Sequence, residues 1–173
     1  MPKPIVGVMG PGEGATPQDL AHAYELGRLI AQQDWVLLTG GRHSGVMHAA
    51  SQGAKIVGGV TLGILPTPNS DNVSPAVDII ICTDLGNARN NLNVLSSQVL
   101  IACGMGIGTA SEIALGLKAG KPVILLNNDP HSQVFFQSLA PDQIFIVDNP
   151  GQAVQLTAAL LATHVSSLCC PEN

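Results

Sequence analysis

Three glycine-containing turns hold the residues best suited to chemistry: Gly10-Pro-Gly-Glu-Gly14, Gly40-Gly-Arg-His-Ser-Gly45 and Gly104-Met-Gly-Ile-Gly108. Each follows an apolar, strand-like run. Glycine lets backbone N–H groups approach a ligand closely, and a following helix N-terminus favours negative charge. The third turn is the most informative because Thr109 follows it, with a hydroxyl able to donate to a phosphate oxygen. It is not a Walker A loop, since no Lys-Ser/Thr pair closes it, and its G-x-G-x-G-T spacing is not the usual dinucleotide fingerprint. The chemistry it suits is capture of a phosphorylated small molecule. Candidate contacts are Gly104, Met105, Gly106, Ile107, Gly108, Thr109, Ala110 and Ser111, with Gly10, Gly12, Gly40, Gly41 and Gly45 from the other turns. A structural reading competes. Thr109-Ala-Ser-Glu112 has the form of a capping box, with Thr109 at the N-cap and Glu112 reaching back to its amide.

The chain has three arginines, Arg28, Arg42 and Arg89. Arg28 falls in the middle of the first helical stretch and reads as a solvated face residue. Arg42 and Arg89 both follow strand ends, where a guanidinium can grip phosphate through paired hydrogen bonds. The alternative for Arg89 is a structural pairing with Glu112 or Asp84. The five histidines show no zinc-site spacing, so no metal site is expected. They read as surface or packing residues, with His43 kept as a possible ligand contact for its position beside the second glycine turn. There is no Gly-x-Ser-x-Gly elbow.

These residues need elements to position them. Strand patterns run over residues 4–9, 35–39, 60–65, 77–82, 98–103, 123–126 and 144–147. Helical patterns cover 17–33, 45–55, 87–95, 108–119, 132–139 and 152–164, the first opened by Thr16 as N-cap and Pro17 at the first helical position. Strands such as Val77-Asp-Ile-Ile-Ile-Cys82 are nearly continuous apolar runs, suited to a sheet covered on both faces. Alternating β and α elements imply parallel strands joined by right-handed crossovers, with ligands at the strands' carboxyl ends. The polar stretch from Asn69 to Ser74 reads as a loop and a candidate mobile one. Ile113 to Leu117 and His131 to Leu139 are candidate self-association surfaces.

Composition narrows the class. The chain has 173 residues, enough for one domain, and only 11% of them are charged. Net charge is −5 and Lys and Arg do not cluster, so a nucleic-acid partner is not expected. No secretory signal is visible and no apolar run is long enough for a membrane span. Cys82 and Cys103 lie in strand-like runs, while Cys169 and Cys170 sit in the tail, so no disulfide framework is expected and a reducing cytoplasm is the natural setting.

Three segments together resemble a known superfamily. Thr39-Gly-Gly-Arg-His-Ser-Gly-Val-Met47, Ala88-Arg-Asn90 and Gly104-Met-Gly-Ile-Gly-Thr-Ala-Ser-Glu112 are similar to the lysine-decarboxylase-like, or LOG-like, Rossmann proteins. Within that superfamily the chain resembles the molybdenum cofactor carrier proteins, through its Thr-Gly-Gly-Arg turn and Ala-Arg-Asn segment. The expected fold class is α/β, a single Rossmann-like three-layer domain over residues 1–165 with a mostly parallel sheet of about six to seven strands. Residues 166–173 are expected to be a disordered tail.

The resemblance implies two functions. The carriers hold molybdopterin-molybdate without a covalent bond, its terminal phosphate falling at Gly108-Thr109 and its oxyanionic metal end needing Arg or amide donors. Arg42 and Arg89 are then cofactor contacts, molybdenum enzymes are the recipients, and a homodimer or homotetramer is implied. LOG-type enzymes instead cut the glycosidic bond of a nucleoside 5′-monophosphate. There Arg89 and Glu112 match the catalytic positions, Glu112 acting on water or the developing positive charge and Arg89 orienting the substrate. The chain departs from the enzymes' motif at Gly104-Met105, where Pro-Gly is expected. A nucleotide-sensing domain is a third reading.

Overall fold

Short apolar runs separated by capped, amphipathic segments fold here into alternating strands and helices. The computed structural model describes residues 2–126 and 129–168, the last five by their backbone alone. Its elements are β1 (Ile5–Met9), α1 (Pro17–Gln32), β2 (Val36–Thr39), α2 (Gly45–Ile56), β3 (Thr61–Leu65) and β4 (Ile79–Cys82). A 3-10 turn at Gly86–Arg89 leads into α3 (Asn90–Ser96). Then come β5 (Val99–Cys103), α4 (Ile107–Lys118), β6 (Val123–Leu126), α5 (Pro130–Leu139), β7 (Ile144–Val147) and α6 (Pro150–Leu168).

The seven strands form one sheet in the order β4-β3-β2-β1-β5-β6-β7, every neighbouring pair parallel. The order reverses at β1, whose Met9 pairs in register with Ala102 of β5. Chain leaving β1 and chain leaving β5 turn to opposite faces, which opens a crevice at their carboxyl ends. One apolar cluster built on Val6, Val8, Leu37 and Ile101 lies under α1, α2 and α6. A second, on Met9, Leu38, Leu100, Ile113 and Leu125, lies under α3, α4 and α5. Helices on both faces make the expected three layers.

Local chemistry sets the helix starts. Thr16 Oγ1 accepts from the Asp19 amide at 3.1 Å while the Asp19 carboxylate accepts from the Thr16 amide at 2.8 Å, a reciprocal cap on α1. Helices α1 and α2 touch through backbone. A Cβ at Gly27 would stand 1.9 Å from the Ala50 carbonyl oxygen, and one at Gly53 would stand 1.8 Å from that of Tyr24. This contact holds α2, and so the turn before it, against the start of the chain.

Three expectations change. The Ile-Ile-Ile-Cys run of β4 is not covered on both faces, since all four residues are exposed. It is an edge strand, and residues 66–78 link it to β3 without a helix, so no layer forms over it. The segment 69–74 is tied down: the His43 amide donates to Asn72 O at 2.8 Å, the Ser74 amide donates to Gly41 O at 2.9 Å, and Arg42 bridges to Val73. Of the proposed association surfaces, Ile113 and Gly116 point inward, whereas α5 leaves Val134, Phe135 and Leu139 exposed.

Helix α6 continues to Leu168. The rest of the expected tail, with Cys169 and Cys170, lies outside the described residues. Among those described, no helix is long and apolar enough to cross a membrane.

Candidate functional site

The carboxyl ends of β1, β2 and β5 surround a cavity of about 370 Å³. All three glycine turns reach it. Gly10, Gly12, Gly40, Arg42, Arg89, Gly106, Ile107, Gly108 and Thr109 line its wall, as does Glu112.

Thr109 sits at the third position of α4. Gly106, not Thr109, is the N-cap, and no side chain caps this helix. The capping-box reading is therefore incorrect, because the helix starts two residues before Thr109 and Glu112 falls one turn inside it. The Thr109 residue is 2% exposed and its hydroxyl has no hydrogen-bond partner. The first intrahelical bond here runs from the Ala110 amide to Gly106 O, leaving the amides of the first turn to a ligand. Idle amides and a buried, unpartnered hydroxyl at a helix N-terminus together form a candidate anion site.

Arg89 enters from the turn before α3. Its Nη1 donates to Ile64 O at 2.7 Å, and not to either carboxylate considered for it, Glu112 or Asp84. Its Nε is buried without a partner. With Nη1 held, the Nε and Nη2 edge remains as a two-donor fork of the kind that grips oxyanions. Burial pulls the guanidinium pKa below its usual value, the charge of Glu112 opposing this and that of Arg42 adding to it. Space for the guanidinium exists only because residue 40 is glycine. A Cβ there would lie 2.3 Å from Nη1 and 2.7 Å from Met47 Sδ.

Glu112 closes the floor, 7% exposed. Burial pushes its carboxyl up to about 7, against the lowering effects of the Asn93 hydrogen bond and of Arg89. Asn93 Nδ2 donates to Oε1 at 2.8 Å, while Asn93 Oδ1 is buried without a partner.

The remaining candidates serve the site from behind. Gly41, at φ +75°, packs on Gly63. Gly45, at φ +49°, packs on the carbonyls of Pro11 and Gly12, and Gly104, at φ +75°, packs on the Asp19 carboxylate. Met105 and Ala110 pack against the second core cluster, and Ser111 accepts from Asn90 Nδ2 at 3.4 Å. Sequence reasoning missed Val8, Met9, Pro11, Glu13, Met47, Pro66, Asn87 and Asn90 among the lining residues. Pro11, Glu13, Met47 and Asn90 lie inside the quoted motifs, the one signal that pointed to them. His43 is not on this wall; its ring stacks edge-on with that of His48 at 4.1 Å. His48 Nδ1 is 2.8 Å from Ser74 Oγ, and burial, then His43, lowers its pKa. Among the described residues, no group of three or more His, Cys, Asp or Glu is placed to hold a metal ion.

A family model, the SLOG cluster4 family, matches residues 3–154, spanning the whole cavity. The chain belongs to the SLOG cluster4 family. This SLOG cluster4 chain is 61% identical to the molybdenum cofactor binding protein of Rippkaea orientalis, with a TM-score of 0.92 over 93% of this chain and 99% of that one. It is 50% identical to the molybdenum cofactor carrier protein of Chlamydomonas reinhardtii, with a TM-score of 0.89 over the same shares. A weaker likeness, 25% identity over 79% of this chain and 83% of the other, links it to a cytokinin riboside 5′-monophosphate phosphoribohydrolase of Mycobacterium tuberculosis.

Proposed function

We propose that this protein binds the molybdenum cofactor without a covalent bond, protecting it and carrying it to a recipient. The observation that carries the reading is a pair of buried donors without partners, Thr109 Oγ1 and Arg89 Nε, on residues that line one cavity at the α4 N-terminus. A dianionic terminal phosphate satisfies both, together with the amides at Gly108 and Thr109. Arg42, exposed at the rim, is a further donor for the oxyanionic groups of the ligand. Met9, Met47 and Pro66 supply apolar wall for the pterin. Among the described residues the cavity is lined by no cysteine, so no thiolate competes for the molybdenum. Cys103, at the end of β5, has its thiol pushed up to about 12 by burial and by Asp19, and stays protonated. Such a site holds its ligand by contacts that can all be given back at delivery.

In this reading a cytoplasmic protein, assembled as a homodimer or homotetramer, hands the cofactor to a molybdenum enzyme. The exposed apolar surfaces of β4 and α5 suit self-association. Native mass spectrometry of the protein mixed with the cofactor tests the reading; stoichiometric retention supports it, and no complex overturns it.

One observation favours a second reading. A buried Glu112 with a carboxyl near neutrality is poised for proton transfer, as glycosidic hydrolysis of a nucleoside 5′-monophosphate requires. Adenine released from AMP by the wild type and not by Glu112→Gln would establish that activity.

A further inference from the structure

A second cavity of about 500 Å³ adjoins the first at Arg42. It shares Glu13, Arg42 and Pro66 with the first, so the two meet along Arg42 as one bent groove. Its own wall adds His43, Ser44, Thr67, Asp71 and Asn72.

The wall is held in place. The same backbone bonds that tie residues 69–74 to the Gly41–His43 turn fix the distance between Asn72 and Arg42. Its polar groups also have capacity to spare. Ser44 is the N-cap of α2 but makes no side-chain cap bond, and Arg42 makes no ion pair among the described residues. Charge indicates what the chamber accepts. Arg42 is the cation at the junction, where Glu13 also lies, while Asp71, Asn72 and Thr67 lie beyond it. A carboxylate there disfavours a second free anion inside the chamber. It suits hydroxyl and amino donors, such as those of a ribose and a nucleobase. Ligand pockets run from about 300 to 1,000 Å³, so the first cavity is already sized for one small ligand. The second would stay empty beneath a cofactor that ends in its phosphate.

We infer that this groove takes the dinucleotide form of the cofactor, its nucleoside in the Thr67–Asn72 chamber and the phosphate that joins it at Arg42. The inference rests on the carrier reading and extends it to the ligand's second half.

The test titrates the wild type with two probes, the phosphate-terminated cofactor and its cytosine or guanine dinucleotide form, reading affinity by native mass spectrometry. Asn72→Trp and Asp71→Phe, both at exposed positions, block the chamber, and circular dichroism checks their folding. The expected result is at least tenfold tighter binding of the dinucleotide by the wild type. Both variants should lose that preference and bind the phosphate-terminated form as the wild type does. Equal affinity of the wild type for both forms overturns the inference and leaves the carrier reading standing. A preference that survives both blocking variants overturns the chamber assignment. Failure to bind either form overturns the carrier reading, and this inference with it.

Discussion

Arg89 lies against Gly40 so closely that a methyl group on residue 40 would stand 2.3 Å from its Nη1. The two residues are 49 positions apart in the chain, yet each constrains the other. Gly40→Ala should therefore push the guanidinium off its Ile64 anchor and out of register with the ligand. The expected outcome is a loss of cofactor affinity of about ten- to a hundredfold, the worth of one charge-assisted hydrogen bond. Overpacking should also cost about 1–3 kcal/mol of stability. Paired binding and thermal-melt measurements separate the two effects.

Thr109→Val should act on binding alone. The hydroxyl has no partner in the protein, so its removal breaks no internal bond. Stability should stay the same or rise slightly, since an unsatisfied buried polar atom is lost. Cofactor affinity should fall by roughly tenfold, about 1.4 kcal/mol. Were Thr109 a cap, stability would fall by about 1 kcal/mol instead. Unchanged affinity would show that the phosphate lies elsewhere.

Glu112 should make stability depend on pH. Its carboxyl moves from 4.5 to about 7 on folding. Between those values the folded protein binds more protons than the unfolded chain, so stability is highest below pH 4.5 and declines as pH rises through 7. The decline from this one group is on the order of 3 kcal/mol. Glu112→Gln should flatten that part of the profile in chemical denaturation at several pH values. An anion bound beside Glu112 should raise its pKa further, so cofactor uptake should draw in protons and affinity should weaken above pH 7. Calorimetry in buffers of different ionisation enthalpy reads that proton directly.

The β4 edge gives the test of assembly. Ile79, Ile80 and Ile81 are 41–50% exposed on a strand with an open edge and no covering helix. Uncovered apolar edges invite pairing with another chain. Ile80→Glu should shift the assembly toward a smaller species in light scattering, with the fold and the cofactor site intact. An unchanged mass would place self-association on another surface, with α5 the next to vary.

Much of this architecture is local and so is written along the chain. Apolar runs of four to six residues marked all seven strands, because a strand buried between two helix layers needs apolar side chains at every position and the exposed β4 carries the same composition. Thr16 and Pro17 marked the start of α1 because capping is decided within one turn. The glycine turns were visible for the same reason, and strand alternation was enough to send them to one sheet edge. What the chain could not show is which side chains meet. Thr109 and Glu112 looked like a cap, since they fit that local pattern, but α4 begins at Ile107 and delivers both to the cavity. The Val77–Cys82 run read as a covered strand because its composition is that of one. Its exposure comes from its edge position and the helix-free 66–78 link. Arg89 against Gly40, Asn93 on Glu112, and Met47 and Pro66 on the cavity wall all depend on the order β4-β3-β2-β1-β5 and on the packing of α2 and α3 over it. Sequence determines periodicity and turns because these act over a few residues. Only the tertiary structure decides contact between distant residues, because that is set by how the layers stack.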